Sequence, residues 1–243
     1  MTSYAQAESL EALKKSDDLT GYPHRQLIGW VGLALPIALL VIHEWRPTNG
    51  LEGWTLLNSV SAYYHTGGVA AFVGSLVALA AFFVTYEGYK NDSRRADRWT
   101  AIIASAAAIG VAFFPTAAPA GLPSPSPSWW TPLTGIIHYA SAVVLFGCFI
   151  FFSLFLFTRS NKQKGLWQRN SLYVLCGWVM VGCVIWAAVA EFYNKSIFWA
   201  EAVALAAFAA SWLAKGRAEW TLLHYGRHPG RIVGDLQEVM RLK

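Results

Sequence analysis

Charge is scarce in this chain. Only 14% of its 243 residues are Asp, Glu, Lys or Arg, where a soluble domain carries about 25%, so an ordinary water-exposed surface is excluded. Cysteine is nearly absent, and Cys148, Cys176 and Cys183 all lie inside apolar stretches. There a thiol is a packing residue, and no spacing offers a disulfide framework or a Cys-based zinc site. The first 26 residues contain no apolar core, so no cleavable signal peptide is expected. No lysine lies inside an apolar stretch, which disfavours a retinal-type Schiff base; Lys195 and Lys215 bracket the last stretch. The formal charge of +5 does not point to nucleic acid, because the basic residues sit in short gaps where they set membrane topology.

What the chain has is apolar length. Hydrophobic residues make up 55% of it, with twelve Trp, ten Tyr and fourteen Phe, rings that favour the headgroup regions of a bilayer. A membrane-crossing helix needs about 20 mostly apolar residues. Six stretches meet that demand: 27–45, 69–87, 99–117, 134–157, 172–192 and 197–214. Backbone groups find no water in hydrocarbon, so each must be helical, with Pro36 kinking the first and Pro115 ending the third. The expected fold is an all-α bundle of six transmembrane helices, 27–214. It is flanked by an N-terminal segment, 1–26, and a basic tail, 215–243.

The basic residues give the bundle a direction. Seventeen of the nineteen Lys and Arg fall in the N-terminal segment, the gaps after the second and fourth stretches, and the tail. Only Arg46 and Lys195 fall in the other gaps. The positive-inside rule then expects both termini in the cytoplasm of a bacterial inner membrane, with three gaps facing outward. The gap 118–133 is uncharged and rich in Pro and Ser, and reads as an ordered outer loop with Trp129 and Trp130 at headgroup level.

The costly polar residues project to the outward ends. His43 and Glu44 close the first stretch, and NSVSAYYHT, residues 58–66, leads into the second. Thr116 follows Pro115. His138 lies about one turn into the fourth stretch, Glu191 ends the fifth, and Glu201 lies about one turn into the sixth. An ionisable group at membrane depth costs about 2.5–3.5 kcal/mol to insert and marks a functional site by default. The inward halves look nearly bare of such groups apart from Glu87. In a helix, Ser61 and His65 would share a face, as a hydroxyl and an imidazole must to exchange a proton. An interfacial helix anchored by Tyr63 and Tyr64 explains the same residues. His65, His138 and Glu201 would suit Zn²⁺ with one open position, with Glu191 as substitute. His43 is a further ligand candidate. No short ligand spacing such as HExxH accompanies these residues; His224 and His228 fall in the basic tail, on the other side.

The phrases NSVSAYYHTGG, FFPT, IIHYASA and FWAEAVALAAFAASWLAKG together resemble an uncharacterised bacterial family of polytopic membrane proteins. The spacing Ser61-x-x-x-His65 is also similar to one motif of the alkaline ceramidase/adiponectin receptor superfamily of membrane hydrolases. That superfamily has seven spans, an acidic residue and an H-x-x-x-H in the last span, which bind zinc with the first motif's histidine; here the count is six, and the H-x-x-x-H lies in the tail. The likeness implies zinc-dependent hydrolysis of a lipid or amphiphile. A metal on His65, His138 and Glu201 would activate water, Ser61 would orient it, and Tyr63 or Tyr64 would stabilise an oxyanion. Ser59, Thr116 and Glu191 would contact substrate. Three alternatives draw on the same residues: non-catalytic binding of membrane lipids or a small solute, transport, or an accessory-subunit role. Haem on His65 and His138 is a further one.

Overall fold

A computed structural model of the chain describes residues 23–42, 56–88, 94–119, 126–159 and 167–216. All secondary structure among them is helical. Six helices run in chain order: α1 (Pro23–Ile42), α2 (Val69–Thr85), α3 (Arg94–Phe113), α4 (Pro132–Arg159), α5 (Trp167–Phe192) and α6 (Phe198–Lys215). Five are long and apolar enough to cross a bilayer, and α2, with 17 residues, is the shorter apolar helix. A single 3-10 turn, Ser61–His65, precedes α2. His43, Glu44, Arg46 and both outer tails, with His224 and His228, lie outside the described residues.

The helix ends follow local chemistry. Helix α1 continues through Pro36. Helix α3 begins at Arg94, five residues before the apolar stretch, because arginine is a good helix former in or out of hydrocarbon. Arg98 turns back there and donates to the carbonyls of Val84 and Tyr86 at the end of α2. The same helix stops at Phe113, short of Pro115, whose ring disfavours helical backbone in the residue before it. Pro132 opens α4 at the position where a missing N–H costs nothing, and the Thr131 N–H donates to Thr134 Oγ1 at 3.1 Å. Asn194, at φ 51°, makes the tight turn between α5 and α6, a conformation asparagine tolerates better than most residues.

Helix α3 lies between α2 and α4, α5 packs on α6, and α4 meets α5 along its length, π-helical turn included. Small residues let the backbones approach, as membrane bundles require. A Cβ on Gly32 would stand 2.7 Å from the Phe208 ring, and one on Gly29 would stand 2.7 Å from Leu213. The core is densest around Trp212. The rings of Tyr86, Phe152 and Phe157 lie 5.1–5.2 Å from it, and Phe83 lies at 5.7 Å. Beside it α4 passes through one π-helical turn, Phe152–Leu156. There Ser153 is fully buried and donates to Ser211 Oγ at 2.9 Å.

The end of the bundle near Trp212 buries charged residues that lie just outside the apolar stretches. Arg25, Asp97 and Lys215 are all buried there. Lys215 Nζ donates to the Phe157 carbonyl at 2.9 Å and lies over the rings of Phe157 and Tyr173. A flexible four-carbon stem lets a lysine bury its length and choose where its charge ends. The sequence placed this residue at the start of the basic tail; the aromatic cage is what draws it inside.

Candidate functional site

The opposite end of the bundle gathers the close of α3 and α5, the start of α4 and α6, and the segment 56–66. That segment is stitched to α6. The Asn58 carbonyl accepts the N–H groups of Ile197 and Phe198 at 2.7 and 2.9 Å and the Ser196 hydroxyl at 3.1 Å. The Val60 N–H donates to Glu201 Oε2 at 2.6 Å. Three α6-side donors and one acceptor therefore hold the hydroxyl-rich segment against the start of that helix.

Between these elements lies a cavity of about 410 Å³, within the range of small-molecule sites. Ser59, Ser61, Thr116, His138, Glu191 and Glu201 all border it, so six of the nine sequence-proposed site residues converge. Its other flank is apolar, formed by Val143 and Phe146 of α4 and Cys183, Val184 and Ala187 of α5. A smaller void of about 50 Å³ continues inward from Ser61, His138 and Glu201 toward Phe149 and Leu205.

His65, Tyr63 and Tyr64 stand elsewhere. Tyr63 is fully buried with its ring 5.9 Å from Phe198, and Tyr64 sets its ring edge against His65 and Phe72. None of the three borders the cavity. The expected Ser61–His65 pairing is also not formed: Ser61 Oγ lies 3.1 Å from Ser59 Oγ, and His65 Nε2 donates to the Thr116 carbonyl at 3.0 Å. The cause is the turn type. In an α-helix residues four apart differ by about 40°, whereas in a 3-10 helix of about three residues per turn they differ by about 120°.

The histidines are both braced by the stretch that follows α3. His138 Nδ1 donates to the Phe114 carbonyl at 2.7 Å, and the Val111 carbonyl is also within bonding reach of the ring. Buried imidazoles whose ring N–H is fixed by a backbone carbonyl have a defined tautomer. Among the described residues, no three His, Cys, Asp or Glu side chains form a group suited to a metal ion.

Three cavity residues were not singled out from sequence. Tyr139 reaches the Glu191 carboxylate with its hydroxyl; its place beside His138 in the phrase IIHYASA is the one signal that could have found it. Lys195 also borders the cavity; in the sequence it served to count topology and to bracket the last apolar stretch. Asn58 contributes through its backbone carbonyl, which no residue type announces. No family model, no curated protein and no solved structure matches this chain.

Proposed function

We propose that this multi-pass membrane protein binds an amphiphile, with the headgroup at Ser59, Ser61, Glu191 and Glu201 and the tail along α4 and α5. The observation that carries this reading is the two-sided character of the cavity, polar toward the segment 56–66 and apolar toward Phe146 and Cys183. Helices α4 and α5 also expose Val143, Ile185 and Val189 to their surroundings, so the tail has a lipid-facing route. The positive-inside pattern supports a bacterial inner membrane with both termini in the cytoplasm and the cavity facing outward. Native mass spectrometry of detergent-purified protein tests the binding. A retained amphiphile is expected on the wild type and at several-fold lower occupancy on Ala187→Trp, whose ring fills the apolar flank. Equal occupancy, or none on either protein, removes the reading.

A second reading is a zinc-dependent hydrolase of a lipid or amphiphile, with His65, His138 and Glu201 as ligands; the three are not grouped for a metal among the described residues, so the ion would have to draw His65 to the cavity. What favours it is the bracing of both imidazoles by backbone carbonyls, an arrangement typical of metal-ligating histidine. Zinc would supply an activated water, and Ser61 would orient it. The phenol facing the cavity is Tyr139, with Tyr63 and Tyr64 packed outside it. Elemental analysis decides: about one zinc per chain, lost in both His65→Ala and His138→Ala, is the expected result. Retention of metal in both variants excludes these ligands.

A further inference from the structure

We propose that the headgroup this cavity accepts is a cation, an amphiphile bearing a primary amine, with Glu201 as its binding residue. The inference rests on the amphiphile-binding reading above and names the class of ligand within it. Two carboxylates, Glu191 and Glu201, border the cavity against a single ammonium, Lys195. Among the described residues neither carboxylate pairs with Lys or Arg, and Lys195 is exposed. A carboxylate near hydrocarbon without a cation is an expensive arrangement, because buried charges are stable only when paired and hydrogen-bonded.

Two local features would support the Glu201 carboxylate as an anion once a cation is beside it. It stands in the first turn of α6, where the helix N-terminus stabilises negative charge, and the Val60 N–H donates to Oε2. Its other oxygen accepts no hydrogen bond among the described residues. Ser61 is 7% exposed, and its hydroxyl has Ser59 Oγ as its one side-chain partner, so it retains acceptor capacity. Tyr139 faces Glu191, the second carboxylate bordering the cavity. An alkylammonium offers three donors and no acceptor. Its charge would relieve the repulsion between the two carboxylates, and its donors would reach Glu201 and Ser61 while its chain follows α4 and α5. An anionic headgroup meets the two carboxylates instead.

The test compares three probes of equal chain length, decylamine, decanol and decanoate, by thermal melting of the full-length protein in detergent. Decylamine remains protonated at neutral pH, as a lysine side chain does. The expected result is decylamine binding at least about tenfold more tightly than decanol or decanoate, with Glu201→Gln removing that preference. Glutamine retains an oxygen for the Val60 N–H, so the variant isolates the charge. Equal binding of the three probes to the wild type overturns the cation assignment and leaves the amphiphile reading standing. No binding of any probe removes both. A decylamine preference that persists in Glu201→Gln overturns the role of Glu201. The wild-type comparison is decisive by itself if that variant does not fold.

Discussion

His65 sits outside the membrane-spanning helices, 4% exposed, with Nε2 donating to the Thr116 carbonyl. Burial holds its pKa below the usual 6.5, against the smaller opposing pull of that hydrogen bond. Below about pH 6.5 the unfolded chain takes up a proton that the folded imidazole still refuses. The stabilisation is therefore complete above that pH and is lost as pH falls toward the lower, folded value. Thermal melting of purified protein should show a fall in stability between about pH 7 and pH 5. His65→Gln, which keeps an N–H for Thr116, should flatten that dependence. At this scale the sequence spoke unevenly. The cost of burying a charge made Glu201, Glu191 and His138 legible from their apolar neighbours. The direction of His65 was not legible, because it depends on a turn type that a run of Ser, Tyr and His does not specify.

At the scale of elements, helix existence was readable from apolar length, and helix ends were not. Arg94 and Arg95 extend α3 on propensity, where hydropathy begins the helix at residue 99. The buried partners of Lys215 lie on α4 and α5, so no local pattern around Lys215 could reveal them. Helix pairing is equally hidden in a single sequence, yet it has a clear energetic signature. A Cβ on Gly110 would collide with the Ser141 hydroxyl and stand 2.8 Å from its Cβ. Overpacking of this kind typically costs about 1–3 kcal/mol. Gly110→Leu should therefore lower the melting temperature by separating α3 from α4, whereas Gly74→Leu, with nothing within 4 Å of the new Cβ, should leave it nearly unchanged.

On the scale of the whole molecule, α2 decides how the chain is threaded. Its 17 residues sit at the short limit for crossing hydrocarbon, about 17–25 residues. If α2 crosses along with the five longer helices, the two termini share a side, and the basic gaps face one compartment. Cysteine-scanning reagents applied to intact cells should then label neither terminus, and should label position 195 in Lys195→Cys. Labelling of one terminus would mean that α2 does not cross.

The way the helices pair has a mechanical meaning. Helices α2, α3 and α4 form one packed run and α5 with α6 another, and α4 joins the two along a seam with α5 that includes its π-helical turn. At one end of that seam the rings around Trp212 join α2, α4 and α6; at the other lies the cavity. The cavity end works as a hasp: the segment 56–66, continuous with α2, is fastened to the start of α6 through Asn58 and Val60, so a bulkier guest meets hydrogen bonds on the polar side and only side-chain packing on the apolar side.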